Sequence, residues 1–261
     1  MHRAGLFVAL SLLAGCATHP ITGREQILAL PAVQAAYADV SFAFSSGSPP
    51  FGASPACERD CGSARELEKL ARRVAVIGTS LEASARVVDP ELFERIEGFR
   101  IELNDGIGMG TGSSAGGRIV LGSGLAQLEP EDTVIAFLVA REMAHVIARH
   151  AEENSGSSIA FSALGMLLPG FNFLARFIAS RLGSSVLTRS WAAQQQREAD
   201  EIALVLLERS GIPVLRVARS LEHGINRARL PAGDWGARYL ESSQRVAAIA
   251  AAAPGYAVID G

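Results

Sequence analysis

Arg141-Glu142-Met143-Ala144-His145 is the stretch on which the reading of this chain turns. It follows Pro130-Glu131-Asp132, a good helix start, and the spacing predicts a helix running from there to about His150. Val134, Leu138, Arg141, His145 and Ala148 share one stripe of that helix. The polar members therefore continue an inward-facing apolar row, where a site would be built. The pattern is H-E-x-x-H with its first letter changed. Two histidines four residues apart lie about 40° apart around a helix and both reach one Zn²⁺, while the glutamate between them activates the metal-bound water. Here Glu142 and His145 are present and Arg141 stands at the first ligand position. A guanidinium stays protonated and has no lone pair to offer, so Arg141 does not ligate a metal and repels one.

At 261 residues, 49% of them apolar, the chain can bury a full core, and the expected layout is one domain with terminal extensions. A net charge of -3, with Lys, Arg, Asp and Glu interspersed, gives no basic face and no acidic tail, so no nucleic-acid partner is expected. The first residues are more telling. His2 and Arg3 precede an apolar stretch from Gly5 to Leu13, followed by Leu13-Ala14-Gly15-Cys16. This resembles a bacterial lipoprotein signal with its lipobox, the alternative being an uncleaved anchor too short to span a bilayer. The resemblance implies a signal peptide over residues 1–15 and a lipidated Cys16 that ties the chain to a membrane. Ala17 after that cysteine implies the outer membrane, facing the periplasm. Cys57 and Cys61 remain, spaced C-x₃-C. In an oxidising periplasm they can close a local disulfide if the loop brings their Cα atoms within about 4.4 to 6.8 Å, and otherwise they are two free thiols.

Residues 16–61 read as a lipidated tether, rich in proline and containing Ser45-Ser46-Gly47-Ser48-Pro49-Pro50, with one short helix near 31–40. The packed domain is expected over 62–261. Leu67, Leu70, Val74, Ile77 and Leu81 recur at helical spacing. Phe99, Ile101 and Leu103 alternate with Arg100 and Glu102 as in a half-buried strand, and a second strand is expected at Arg118 to Leu121. Residues 159–182 are apolar but interrupted by Gly165, Pro169, Gly170, Asn172 and Arg176, which favours two short buried or groove-lining helices over a membrane span. A helix from about Trp191 to Ser210 ends at Gly211 and Pro213, and the Ala-rich stretch 246–253 is expected to be helical. Gly112 to Arg118 lacks the lysine and following Ser/Thr of a phosphate-binding loop.

Thr18-His19-Pro20-Ile21-Thr22-Gly23-Arg24, just after the lipobox, is similar to the N-P-V-T-G-R opening of periplasmic lipoprotein peptidases. With Gly116-Gly117-Arg118-Ile119-Val120, Ser123-Gly124-Leu125, the helix to His150 and Arg197-Glu198-Ala199-Asp200-Glu201-Ile202, the chain resembles the HtpX-like and CAAX-protease-like zinc metallopeptidase family, number forty-eight among metallopeptidase families. The resemblance implies an α+β, mostly helical zincin-like (gluzincin) domain with a small β-sheet. It also implies zinc held by two histidines and by a glutamate four residues before an aspartate. Carried over, the first histidine falls on Arg141, the general base on Glu142, the second histidine on His145, the glutamate on Gln196 and the aspartate on Asp200. A neutral amide binds Zn²⁺ poorly, so two of three ligands are replaced. Glu198 is not a natural substitute, because it points about 160° away from position 200 around the helix. The His-Pro pair that the family often carries near its C-terminus falls on Tyr239 and Leu240, before Arg245.

Arg141 is expected either to pair with Glu142, Gln196 or Asp200, a fixed cation where the metal would stand, or to reach solvent from a cleft. Without ligands there is no metal-bound water for Glu142 to activate. His145 reads as a satisfied core histidine, with His150 five residues on and off its face, and Asp200 as an acceptor for His145 or Arg141. The glycine-rich segment 106–117 is either a surface loop or, by the resemblance, lies at the edge strand beside the cleft, where a peptide can add. The leading expectation is a lipid-anchored periplasmic protein with a degenerate zinc site, holding little or no zinc. It would bind envelope proteins or peptides in quality control without cutting them. The rivals are an active zinc metalloendopeptidase that degrades misfolded envelope proteins and a structural lipoprotein.

Overall fold

The computed structural model describes residues 15–19, 21–28, 32, 34–36, 38–39, 63–105, 110–155, 193–227, 244–248 and 251. Cys57, Cys61, the apolar stretch 159–182 and residues Tyr239 and Leu240 lie outside them. In chain order the elements are β1 (Gly15–Thr18), β2 (Glu25–Leu28), α1 (Ala64–Val88), α2 (Leu92–Arg95), β3 (Arg100–Asn104), β4 (Thr111–Ser113) and β5 (Arg118–Gly122). A 3₁₀ segment at Ser123–Leu128 leads into α3 (Asp132–Ile147). Then follow α4 (150–155), α5, described over 193–209, α6 (Val214–Arg227) and α7 (244–248). This is an α+β, mostly helical domain with a small three-stranded sheet.

α1, α3 and α5 begin where their sequence patterns place them, while α6 carried no expectation. α1 starts on a capping box, in which the Glu66 amide donates to the Ser63 hydroxyl and the Glu66 carboxylate accepts from the Ser63 amide. Its stripe Leu70, Val74, Gly78, Leu81 and Ala85 is buried. At Gly78 a Cβ would stand 2.4 Å from Cδ1 of Ile101, so the missing side chain lets α1 lie close on β3. β3 pairs in parallel with β5, and β5 pairs antiparallel with β4, giving the order β3-β5-β4 with β4 at an edge. α3 is the centre of the core. Every residue from Val134 to Ala140 is buried, and the helix packs on α1, α6, β4 and β5. α5 adds Ile202, Leu204, Leu206 and Leu207, and ends where Gly211 takes a left-handed φ of 75°.

Two expectations are revised. The helix expected to run unbroken to His150 stops at Ile147, because Arg149 takes a left-handed φ of 55°, and a new helical turn begins at 150. Part of the stretch read as a tether is also ordered. β1 and β2 form an antiparallel hairpin, and the buried Gln26 donates its side-chain amide to the carbonyl of Ala148, at the break. A helix end leaves carbonyls without intrahelical partners, and Gln26 answers one of them. The alternation of polar and apolar residues in Glu25-Gln26-Ile27-Leu28 is too short to announce a strand.

Candidate functional site

α3 carries Arg141, Glu142 and His145, and α5 brings Asp200 opposite them. Arg141 donates from Nε to Oδ1 of Asp200 at 3.0 Å. Arg245, from α7, donates from Nε to Oδ2 of the same carboxylate at 2.6 Å. Asp200 is 0% exposed, against 16% for Arg141 and 15% for Arg245. Burial raises the Asp200 pKa, and the two guanidiniums oppose that shift by favouring the carboxylate. Of the two expectations for Arg141, pairing describes the structure: its charge is turned inward to an acid. Sequence reasoning treated Arg245 only as a landmark for the missing His-Pro pair, and its bond to Asp200 gives it a place in the site.

Glu142 is buried and faces β4. Its carboxylate accepts from the Thr111 hydroxyl at 2.6 Å and from the Ser113 hydroxyl at 2.9 Å. Residues 111 and 113 project from the same face of the strand, since side chains alternate along it. The residue at the general-base position therefore ties the core helix to the edge strand. The glycine-rich segment does supply that edge strand, and the Thr-x-Ser spacing within it was the available signal for its contact with Glu142.

His145 has a partner that helix geometry alone would deny it. In an unbroken helix residues 145 and 150 are about 140° apart. The left-handed turn at Arg149 swings His150 back, and the two Nδ1 atoms stand 2.8 Å apart, with ring centroids 4.8 Å apart. His150 Nε2 in turn lies 2.9 Å from Oε2 of Glu198. Burial pulls the His150 pKa down although Glu198 favours its charged form, so the ring is neutral at pH 7. A neutral His150 that donates from Nε2 to Glu198 has only a lone pair on Nδ1. The proton in the histidine pair therefore belongs to His145 Nδ1, and His145 Nε2 is unprotonated. Burial, His150, Arg141 and Arg245 hold the His145 pKa well below its ordinary value, which keeps that ring neutral too.

Glu198 anchors the N-terminal hairpin. It accepts from the Thr22 hydroxyl and from Arg24 Nε, with His19 Nδ1 3.8 Å away. Burial pushes Glu198 up, but the hydrogen bonds from His150, Thr22 and Arg24 bring its pKa down to about 2. Arg24 also makes a bidentate pair with Glu153, at 2.9 and 2.7 Å, and Gln195 Nε2 donates to Glu153 at 3.1 Å. The Thr-Gly-Arg segment of the opening motif thus binds α4 to α5. The sequence offered the signal, a set of polar residues in a fixed string, without the partner.

The donor set does not fit zinc. Arg141 adds a cation where a ligand is needed and is held there by Asp200, and Gln196 offers only an amide oxygen. Glu198, the substitute that helix geometry argues against, faces His150 and Arg24 instead. Among the described residues no group of three or more His, Cys, Asp or Glu is arranged to hold a metal ion. Gln196 Oε1 is buried and has no hydrogen-bond partner among the described residues.

Comparison with known proteins agrees with this scaffold. Over 124 residues the chain is 29% identical to the beta-barrel assembly-enhancing proteases of Escherichia coli (strain K12) and Shigella flexneri. The match covers 44% of this chain and 26% of each relative, so the chain spans about a quarter of the length of the curated relatives it matches. The model of Peptidase family M48, a typically zinc-dependent family, matches residues 109–253, more than half of the chain, from the edge strand through α3 and α5 to α7. The chain is a member of Peptidase family M48.

Proposed function

We propose that this protein is a non-catalytic member of its family, lipid-anchored at the periplasmic face of the outer membrane, that binds envelope proteins or peptides in quality control. The observation that carries the non-catalytic reading is that Arg141, at a ligand position, is paired with Asp200. A protein-supplied cation occupies the place of the metal charge and is bonded to the carboxylate opposite. Glu142, held by two hydroxyls, has no metal-bound water to act on. β4 supports the binding reading. Among the described residues it pairs on one side only, with β5, and an extended peptide can add to such an edge. The relatives' name, beta-barrel assembly-enhancing protease, supports an envelope setting.

The lipobox supports the anchor. Cys16 lies within β1, opposite Ile27, and His19 is buried three residues later. A lipid on Cys16 would therefore hold the domain close to the bilayer instead of on a long leash. The test of the reading is incubation of the protein, with zinc supplied in excess, with a fluorescent unfolded substrate, beside Glu142→Gln. Saturable binding without cleavage by either protein is expected. Cleavage that Glu142→Gln abolishes would overturn the reading in favour of a metalloendopeptidase, and absence of both binding and cleavage would favour a structural lipoprotein.

A further inference from the structure

We propose that the docked N-terminal hairpin makes the protein a short-reach binder, whose partner is a polypeptide held in the same membrane with an extended segment within about 45 Å of the bilayer. This deepens the reading above and rests on its lipid anchor and its peptide edge. A lipid on Cys16 fixes the start of β1 at the bilayer surface, and from there the path to the edge strand is short. Three residues separate Cys16 from His19, about 11 Å at full extension. His19 Nδ1 lies 3.8 Å from Glu198, Glu198 2.9 Å from His150, and His150 2.8 Å from His145. Nearly one turn back along α3, Glu142 accepts from Thr111 of β4 at 2.6 Å. These contacts, with the side chains between them, keep the peptide edge within about 45 Å of Cys16.

The anchoring segment is bonded to the domain at several points. Arg24 joins Glu198 to Glu153, Gln26 donates to the Ala148 carbonyl and Gln34 to that of Glu152. Farther along, Asp39 accepts from the Gly116 amide at 3.0 Å, in the turn between β4 and β5. A Cβ at Gly116 would stand 2.8 Å from the Asp39 carboxylate, so glycine permits that approach. The segment that carries the anchor thus also holds the turn of the edge strand. A free chain from Cys16 to Ser63 would instead add about 40 Å of root-mean-square reach. Short reach selects the partner. On a shared membrane, segments within range are presented at about millimolar effective concentration, and segments beyond it at almost none. A soluble chain gains nothing from the anchor.

The test uses the full lipidated chain in the outer leaflet of vesicles of phosphatidylethanolamine and phosphatidylglycerol. Random-sequence octapeptides carrying a photo-crosslinker are mounted in the same vesicles on a membrane-spanning helix, continued outward as a semi-rigid rod of Glu-Ala-Ala-Ala-Lys repeats about 30 or about 90 Å long. Crosslinking on the short rod is expected to exceed that on the long one by at least about tenfold. Equal yields would overturn the short reach and leave peptide binding standing. No crosslinking on either rod overturns the proposal, and the free octapeptides then separate the cause: their capture keeps peptide binding, and its absence overturns that reading too. A chain whose measured mass shows no lipid overturns the anchor and this proposal together. About eighty Gly and Ser residues inserted between Cys16 and Ala17 spare the Arg24 contacts and add about 50 Å of reach. The insertion should restore crosslinking on the long rod. A variant that is folded by circular dichroism and still misses the long rod would overturn the assignment to the docked hairpin.

Discussion

An arginine inside a protein needs an acceptor, and at this site Asp200 bonds two. Asp200 gives one oxygen to Arg141 and the other to Arg245, so its removal takes an acceptor from both. Asp200→Ala should cost about 3–5 kcal/mol of unfolding free energy in urea titrations. Arg141→Met, which leaves Arg245 in place, should cost about 1–3 kcal/mol. Equal, negligible effects would show that the pairing does not hold the helices together. Glu198 and His150 set a pH dependence. Both have folded-state pKa values below their unfolded ones, so each contributes stability above its unfolded pKa and loses it as pH falls through the folded one. The buried histidines act first, once pH drops below their ordinary value of 6.5. Glu198 follows, between its ordinary 4.5 and about 2. Thermal melts should therefore fall as pH is lowered from 7 to 5, and His150→Gln should flatten that decline. At this scale Asp200 was among the partners expected for Arg141, because the family resemblance put both residues at one site. It set His150 off the face of His145 and used Arg245 only as a landmark, because their partners depend on a turn and on a distant helix.

The break between α3 and α4 carries the unexpected architecture. Arg149 is left-handed without being glycine, so no residue in the string announced the break. What holds it comes from elsewhere: Gln26 on the Ala148 carbonyl, Gln34 donating to the Glu152 carbonyl at 3.1 Å, and Arg149 Nε donating to Glu152 at 2.6 Å. The β1–β2 hairpin is thereby a structural part of the site. Arg24 is 11% exposed and serves two carboxylates that are 2% and 3% exposed. Arg24→Ala should destabilise the chain by about 3–5 kcal/mol, since Glu153 and Glu198 lose their shared cation. It should also detach the hairpin, read as faster amide hydrogen exchange over residues 15–28. Unchanged exchange would contradict the anchoring role.

Across the whole molecule, the α+β plan was legible because long amphipathic helices and alternating strands carry their own signal. α1, β3, β5, α3 and α5 lie where periodicity and caps put them. The tether was misjudged in part because proline and serine dominate its later half, while its first residues fold only by docking on helices far along the chain. The metal site is the property on which the functional reading depends. Arg141→His with Gln196→Glu restores the donor set while removing the guanidinium from Asp200, and should bring back zinc binding near one ion per chain. The most direct test of the central claim is zinc per mole of wild-type protein after loading with excess zinc and exhaustive dialysis. Well below one zinc per chain is the expected result. One tightly held zinc per chain would contradict the reading of a site whose metal charge has been replaced by Arg141.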